Sequence, residues 1–522
     1  MIKRLMLLAT LGAALPIGLA AQQATVDTAG VGAVVDQATN HSQVMAILQH
    51  LSDVIGPRLT GSAAVKQAND WGMAQFKSWG LSSHLDPWTF AGTFWRGPST
   101  CKVTTPFVRK INCDSWAWTA GTGGRMLAGR VVQINAASAE SLAAYRGKVR
   151  GAWVLLNDPA TLWNPDGPPM TAADSAAMRT AREARTEAFR AQRADTSEAT
   201  RKARQQFAFD RPYLLRQMGA LGQLYDGSKD FDLMTMSGSP NRPSVFPNVV
   251  IGHEDYAMLW RQLHLGLSPH FAASIDNKVT IKPTTQWNTV AEIKGSEKPG
   301  EVVILGGHLD SWDLGQGSTD NGAGAATVLE AARAIAASGV KPKRTIRFIL
   351  FTGEEEGLLG SAAYANEHAA DADSIQAVLV LDNGTGRITG QALQGRPQDN
   401  QLWQDIFAPL SALGPFTVRD GNKGGTDHLS FLPWGVPSWN FDQESRGYNH
   451  THHSQVDTYD HAVGPDLVQA SSVMAATALE LANLPELLPR GVKVPLPDFG
   501  TSPMKPSPGL DRPMRTGTGK KK

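Results

Sequence analysis

The sequence predicts an α/β fold, a mixed and mostly parallel sheet flanked by helices, with a second β-rich unit inserted ahead of the main motif block. Three observations carry this. The apolar run Val302–Leu305 leads to His308 and Asp310. A Gly-rich turn then presents Asp320 just before a small-residue helix, Ala323 to Ala337. A second apolar run, Ile346–Phe351, ends in the carboxylates Glu354, Glu355 and Glu356. Strand, loop, helix, strand, loop is the order of a parallel sheet, whose ligands bind beyond the carboxyl ends of the strands. Both polar clusters fall at such ends, so the fold prediction brings a site prediction with it.

In chain order, Lys3 and Arg4 precede an apolar run from Leu5 to Leu19, with Gly18, Ala20 and Ala21 at its end. This is a signal-peptide pattern over residues 1–21. It implies an exported protein, periplasmic or secreted, with no membrane attachment after cleavage. Residues 22–133 read as the N-terminal part of the main domain. Apolar residues at helical spacing run from Val44 to Leu81, interrupted by the turn-rich IGPRLTGS, and strands with tight turns follow from Val103 to Gln133. Residues 134–285 read as the inserted unit. It contains the strand-like GKVRGAWVLLN, an Arg-rich helix from about Ala172 to Gln206, and a strand, turn and helix in SVFPNVVIGHEDYAMLW. Interleaved Glu183, Glu187 and Glu198 explain the arginines as i,i+4 partners on a solvated face. Residues 286–490 read as the motif-bearing core, with further buried strands in AVLVLDNG and GVPSWNF and a last helix from Pro465 to Leu484. The Pro-, Gly- and Lys-rich stretch 491–522 reads as a disordered tail.

The balance of 49 basic and 48 acidic residues argues against a nucleic-acid binder or a polybasic membrane anchor. The two cysteines, Cys101 and Cys113, are spaced to close a small loop as a disulfide in an oxidising compartment; two structural thiols are the alternative. They cannot frame a metal site alone, so any zinc would be held by histidines and carboxylates.

Five residues at strand ends or loop tips form such a set: His308, Asp320, Glu355, Asp382 and His453. Singly, each reads as a satisfied polar group or a helix cap, Asp320 above all. Together, two imidazoles and three carboxylates suit zinc, with manganese or cobalt as other candidates. Five ligands exceed what one tetrahedral ion with an open position takes, and fit two ions sharing a carboxylate.

The motifs GGHLDSWDLGQGSTDNGAG, FTGEEEGLLGS, VLVLDNG, GTDHLSF and HHSQVDT together resemble the M28 family of zinc peptidases over roughly Asn288 to Leu484. The wording HLDSWDLGQG is most similar to the glutamate-carboxypeptidase branch of that family. The resemblance implies a zinc exopeptidase fold with two zinc ions. His308 and Asp382 would hold one zinc, Glu355 and His453 the other, and Asp320 would bridge them. Glu354 would be the general base, taking a proton from the attacking water and returning it to the leaving amine. The spacing of GLLGS sets this register and leaves Glu356 a bystander. Asp310 would orient the His308 imidazole. The peptide bond after Asp320 is expected to be cis, although Asn321 replaces an acid common at that position. His452 and Tyr448 would either offer a hydrogen bond to the developing oxyanion or line a wall. Asp427, next to His428, matches a family motif beside the substrate cleft. The inserted unit resembles a protease-associated domain, a lid that restricts access.

The expected function is hydrolysis of short peptides or dipeptides with free termini. A non-catalytic binding module on the same fold and a single-zinc acyltransferase of the glutaminyl-cyclase kind are the alternatives. The complete set of five ligands with Glu354 disfavours both. Assembly is open, a homodimer included.

Overall fold

In the computed structural model, which describes residues 28–162, 180, 197–499 and 502–510, the motif block lies on an eight-stranded mixed sheet. Its order is Ser82–Phe90, Thr284–Ile293, Arg344–Phe351, Lys298–His308, Ile375–Val380, Ser438–Gln443, Ile388–Ala392 and Thr417–Arg419. The four strands from Arg344–Phe351 to Ser438–Gln443 are mutually parallel, and antiparallel strands flank them on both sides. The parallel strands are buried almost throughout, as continuous apolar runs require when helices cover both faces.

The helix Ala323–Ser338 is buried over its first thirteen residues. Its alanines and glycines let it approach the sheet closely. A Cβ on Gly324 would come within 2.2 Å of the Leu381 carbonyl oxygen, so only glycine fits there. Gly339 ends the helix in the left-handed conformation, a common helix C-terminus. The last helix, Gly464–Asn483, packs into the same core, and so does the first, Thr28–Asn40. Sequence reading missed that first helix, because TAGVGAVVDQATN has two glycines and few strong helix formers. No helix among the described residues is long and apolar enough to cross a membrane.

A second eight-stranded sheet is built from chain segments between residues 99 and 275. Strands Ser99–Thr105 and Leu127–Gln133, read from sequence as part of the main domain, pair instead within this sheet through His270–Ile275. The boundary at 133/134 is therefore corrected. The neighbouring main-sheet strands Ser82–Phe90 and Thr284–Ile293 pair with each other, and the short ribbon of Thr93–Trp95 with Lys278–Thr280 carries the chain out and back. That neck puts the inserted unit at about 96–277, a limit fixed by long-range pairing and invisible in local composition.

Cys101 and Cys113 form a disulfide, tying strand Ser99–Thr105 to strand Cys113–Ser115 inside the second core. Removing it with paired Cys→Ser changes is expected to destabilise the inserted unit by about 2–4 kcal/mol, through the lost constraint on its unfolded chain. Urea unfolding of the variant checks this, and thiol alkylation followed by mass spectrometry with and without reductant checks the bond itself.

The signal-peptide segment, the Pro-rich stretch and most of the Arg-rich segment lie outside the described residues; the helix Glu198–Gln217 covers the end of the latter. The tail expectation is corrected for residues 491–499 and 502–510. Gly491 N–H donates to Gly435 O (2.7 Å) and Val494 N–H to Leu432 O (3.1 Å). Farther on, Gln206 Nε2 donates to Lys505 O (3.0 Å) and Ser507 N–H to Asp210 Oδ1 (3.0 Å). Helix side chains supply the partners that a proline-rich strand lacks by itself.

Candidate metal centre

The sheet delivers the ligand candidates as its topology requires. His308 ends one parallel strand, the Glu354–Glu355 turn follows the next, and Asp382 lies just past a third. Asp320 sits in the kinked turn before helix Ala323–Ser338, and the Asp320–Asn321 peptide is cis, as expected. The turn is held from two sides. Asp457 accepts from Thr319 N–H (2.5 Å) and Asp320 N–H (3.1 Å). Asn321 donates from Nδ2 to Leu381 O (2.8 Å) while its Oδ1 accepts from Gly324 N–H (2.9 Å). A carboxylate could make only the second of these bonds, which accounts for asparagine at this position.

Asp320 reaches both sides of the site. Its Oδ1 lies 3.4 Å from His308 Nε2, which is 3.5 Å from Asp382 Oδ1. Its Oδ2 lies 3.4 Å from His453 Nε2, which is 3.0 Å from Glu355 Oε2. Glu354 Oε2 stands 3.8 Å from His308 Nε2. All five candidate ligands and Glu354 therefore converge. The buried atoms His308 Nε2, Asp320 Oδ2 and Glu355 Oε1 lack hydrogen-bond partners among the described residues. Such orphans are costly unless something outside the chain satisfies them. His308, Asp320 and Asp382 form one group able to hold a cation, and Asp320, His452 and His453 form another. The residues fit two metal ions sharing Asp320. His452, 3.7 Å from Asp320 Oδ2, is an additional donor on the second side.

Electrostatics agree. Burial, with Asp382, Asp427 and Glu355 nearby, pushes the Glu354 carboxyl well above the usual range, against the pull of His308. Burial and Asp320 do the same to Glu355. Burial opposes ionisation of Asp320 too, but the surrounding histidines hold its carboxyl low. This concentration of buried carboxylates calls for positive charge in the same space.

Asp310 does not orient His308 through its carboxylate alone. His308 Nδ1 makes its hydrogen bond to the Asp310 backbone carbonyl (3.1 Å), with the carboxylate 3.6 Å away. The carboxylate accepts instead from Thr60 Oγ1 (2.9 Å) and, at 3.4 Å each, from Glu354 and Glu355 N–H, so it holds the glutamate turn. Tyr448 and His452 line the cleft, their rings edge to face at 5.0 Å. Burial and the neighbouring carboxylates raise the Tyr448 phenol well above its ordinary value, which keeps it a donor. Asp427, matched to a motif beside the cleft, is fully buried. Burial pushes its carboxyl up to about 7.

Three positioning residues escaped sequence reading. Fully buried Arg58, in the turn-rich IGPRLTGS, donates to the carbonyls of Leu309 (2.7 Å), Gln316 (2.9 Å) and Gly317 (2.6 Å), and to those of Leu51 and Gly56. It thereby fastens the loop after His308 to the loop before Asp320, a use suited to a planar five-donor fork. Asp457 is the second. Arg96 is the third; it clamps Asp313 (2.8 and 2.9 Å) and Asp114 (2.6 Å), joining the inserted unit to the His308 loop. The local signal for Arg58 and Arg96 was the company of glycines, and for Asp457 its place in HHSQVDT. His453 itself has φ 58°, a strained value for a non-glycine residue, and its carbonyl accepts from Met236 N–H (2.7 Å) of the inserted unit.

Comparison with known proteins agrees with this geometry. Residues 288–478 match the model of peptidase family M28. Human carboxypeptidase Q is 28% identical over 468 residues, 88% of this chain and 89% of that protein. The crystal structure of a peptidase M28 precursor from Shewanella amazonensis SB2B superposes with TM-score 0.70 at 26% identity, over 89% of this chain and 99% of that one. A zinc aminopeptidase from Bacillus subtilis shares the fold, with TM-score 0.56 at 19% identity over 83% of this chain and 93% of its own. Residues 288–478 of the chain are thus a peptidase family M28 domain by sequence match, on a chain similar over most of its length to members of that family.

Proposed function

We propose that this M28 peptidase, a zinc-dependent exopeptidase, is exported and works with two zinc ions on dipeptides and short peptides with free termini. The observation that carries the reading is the pair of donor groups sharing Asp320, with Glu354 beside them. His308 and Asp382 would hold one ion, Glu355 and His453 the other, and Asp320 both. Zinc bound there would polarise the scissile carbonyl and make water a stronger nucleophile.

The chain's own groups do the rest. Glu354 takes a proton from the attacking water as its oxygen bonds to the scissile carbonyl carbon. It then gives that proton to the amine nitrogen as the C–N bond breaks. Asp310 keeps the glutamate turn in register for this exchange. Tyr448 and His452, on the cleft wall, donate toward the oxygen on which charge develops. Met236 to Ser239 of the inserted unit close one side of the cleft, in keeping with a lid that limits substrate length. Export rests on the charged, then apolar, N-terminal pattern.

The test compares a free dipeptide with its N-acetylated and C-amidated twins, using metal-stripped protein with and without added zinc. Zinc-dependent cleavage of the free dipeptide, lost on blocking either terminus or both, is expected. The pattern of loss assigns aminopeptidase, carboxypeptidase or dipeptidase action. Zinc-independent cleavage, or none, overturns the reading.

A further inference from the structure

The acidic cleft does not end at the metal-side residues. Its cavity of about 380 Å³ adjoins a second chamber of about 450 Å³, and the two share Ser237, Gly238, Ser239 and Phe499 as walls. The two differ sharply in charge. The cleft is lined by five carboxylates, from Asp320, Glu354, Glu355, Glu356 and Asp382. The chamber is lined by two guanidiniums, Arg211 and Arg242, and by no carboxylate among the described residues. Aromatic rings make up much of the remaining wall, with Trp116 and Tyr225 packed at 3.9 Å.

We infer that this chamber is the subsite for the carboxyl-terminal end of the substrate, an apolar or aromatic residue whose α-carboxylate is read by Arg242. The inference rests on the exopeptidase reading and adds which end of the peptide lies where. Arg242 is the better reader of the two cations. Its Nε is buried without a hydrogen-bond partner among the described residues, whereas Arg211 Nε donates to Gln223 Oε1 (3.3 Å). Lys229, close to Asp320, already donates to the Asn449 carbonyl.

The chain itself displays the expected pairing. On the C-terminal segment, Asp498 places a carboxylate oxygen 3.8 Å from Arg242 Nη2, and the next residue, Phe499, lines both cavities. A carboxylate beside the guanidinium with an adjacent aromatic ring is the arrangement a peptide ending in phenylalanine would present. A guanidinium binds a carboxylate through parallel N–H donors, which an amide cannot accept with equal strength.

The test is calorimetric binding of N-acetyl-phenylalanine and of its C-terminal amide to the full chain, in the wild type, Arg242→Ala and Arg242→Lys. In the wild type the acid is expected to bind about tenfold tighter than the amide, or more. Arg242→Ala removes that preference without weakening the amide, whose retained binding shows an intact chamber. Arg242→Lys keeps part of it, as a point charge. Equal binding of acid and amide by the wild type, or an undiminished preference in Arg242→Ala, overturns the inference. Because the readout involves no turnover, acid binding through Arg242 by a chain that cleaves no peptide would overturn the exopeptidase reading alone.

Discussion

Glu354→Gln is expected to lower turnover by about 100- to 10,000-fold, the range for loss of a general base, while zinc content and fold stay as in the wild type. Glutamine matches glutamate in size, so the turn held by Asp310 through the Glu354 and Glu355 N–H groups keeps its shape. What disappears is the ability to accept a proton from water. The neighbouring residue separates the roles. Glu355 Oε2 lies 3.0 Å from His453 Nε2, so Glu355→Gln should lower metal content as well as rate, whereas Glu354→Gln should lower rate alone. Elemental analysis of zinc per chain, with kcat and KM on one peptide, distinguishes the two. Near-normal turnover in Glu354→Gln would remove it as the base.

The register of these adjacent glutamates came from the family resemblance that GLLGS carries, and the structure sets Glu355 against His453 and Glu354 against His308. His308, Asp320 and Asp382 were legible locally. Each follows a strand or precedes a helix whose apolar pattern is complete within ten or so residues, and a parallel sheet brings such ends together whatever the rest of the chain does. Arg58 was not legible, since its meaning lies in carbonyls more than 250 residues away. Asp457 looked like an ordinary loop acid until its bonds to the Thr319 and Asp320 amides fixed its role. Burial and Asp320 push its carboxyl up to about 7, a cost offset by those amides.

The inserted unit was misjudged for the same reason. Strand Leu127–Gln133 has an unremarkable local pattern, and only its pairing with His270–Ile275 and Ala152–Leu155 assigns it to the second sheet. The C-terminal stretch was misread differently. Composition correctly reports that Pro- and Lys-rich chain cannot build a core of its own. It does not report that Asp210, Gln206 and Gln217 on a neighbouring helix offer partners to such a chain.

Asp320→Ala is expected to remove both metal ions and with them all measurable activity, a larger effect than loss of any other single ligand. Each half of the site has few donors to spare. Without Asp320, one half keeps His308 and Asp382, 3.5 Å apart. The other keeps His453 and Glu355, 3.0 Å apart, with His452 stacked on His453 at 3.7 Å between ring centroids. Zinc sites in proteins take three or four protein ligands; the first remnant has two donors, and the second would need the half-exposed His452 to turn in as its third. Replacing His308 or His453 would by contrast strip one half and leave the other with its bridging aspartate. Asp320→Ala should therefore bring zinc from two per chain to well below one, while either histidine variant retains about one. The fold should tolerate the change. Helix Ala323–Ser338 is capped through Asn321 and Gly324, and Asp457 can still accept from the Thr319 amide. Thermal unfolding of the metal-stripped variant and of metal-stripped wild type should coincide, separating loss of metal from loss of structure. Full zinc content with full activity in Asp320→Ala would refute the shared-carboxylate site, and stable retention of one ion would reduce Asp320 to a ligand of a single metal.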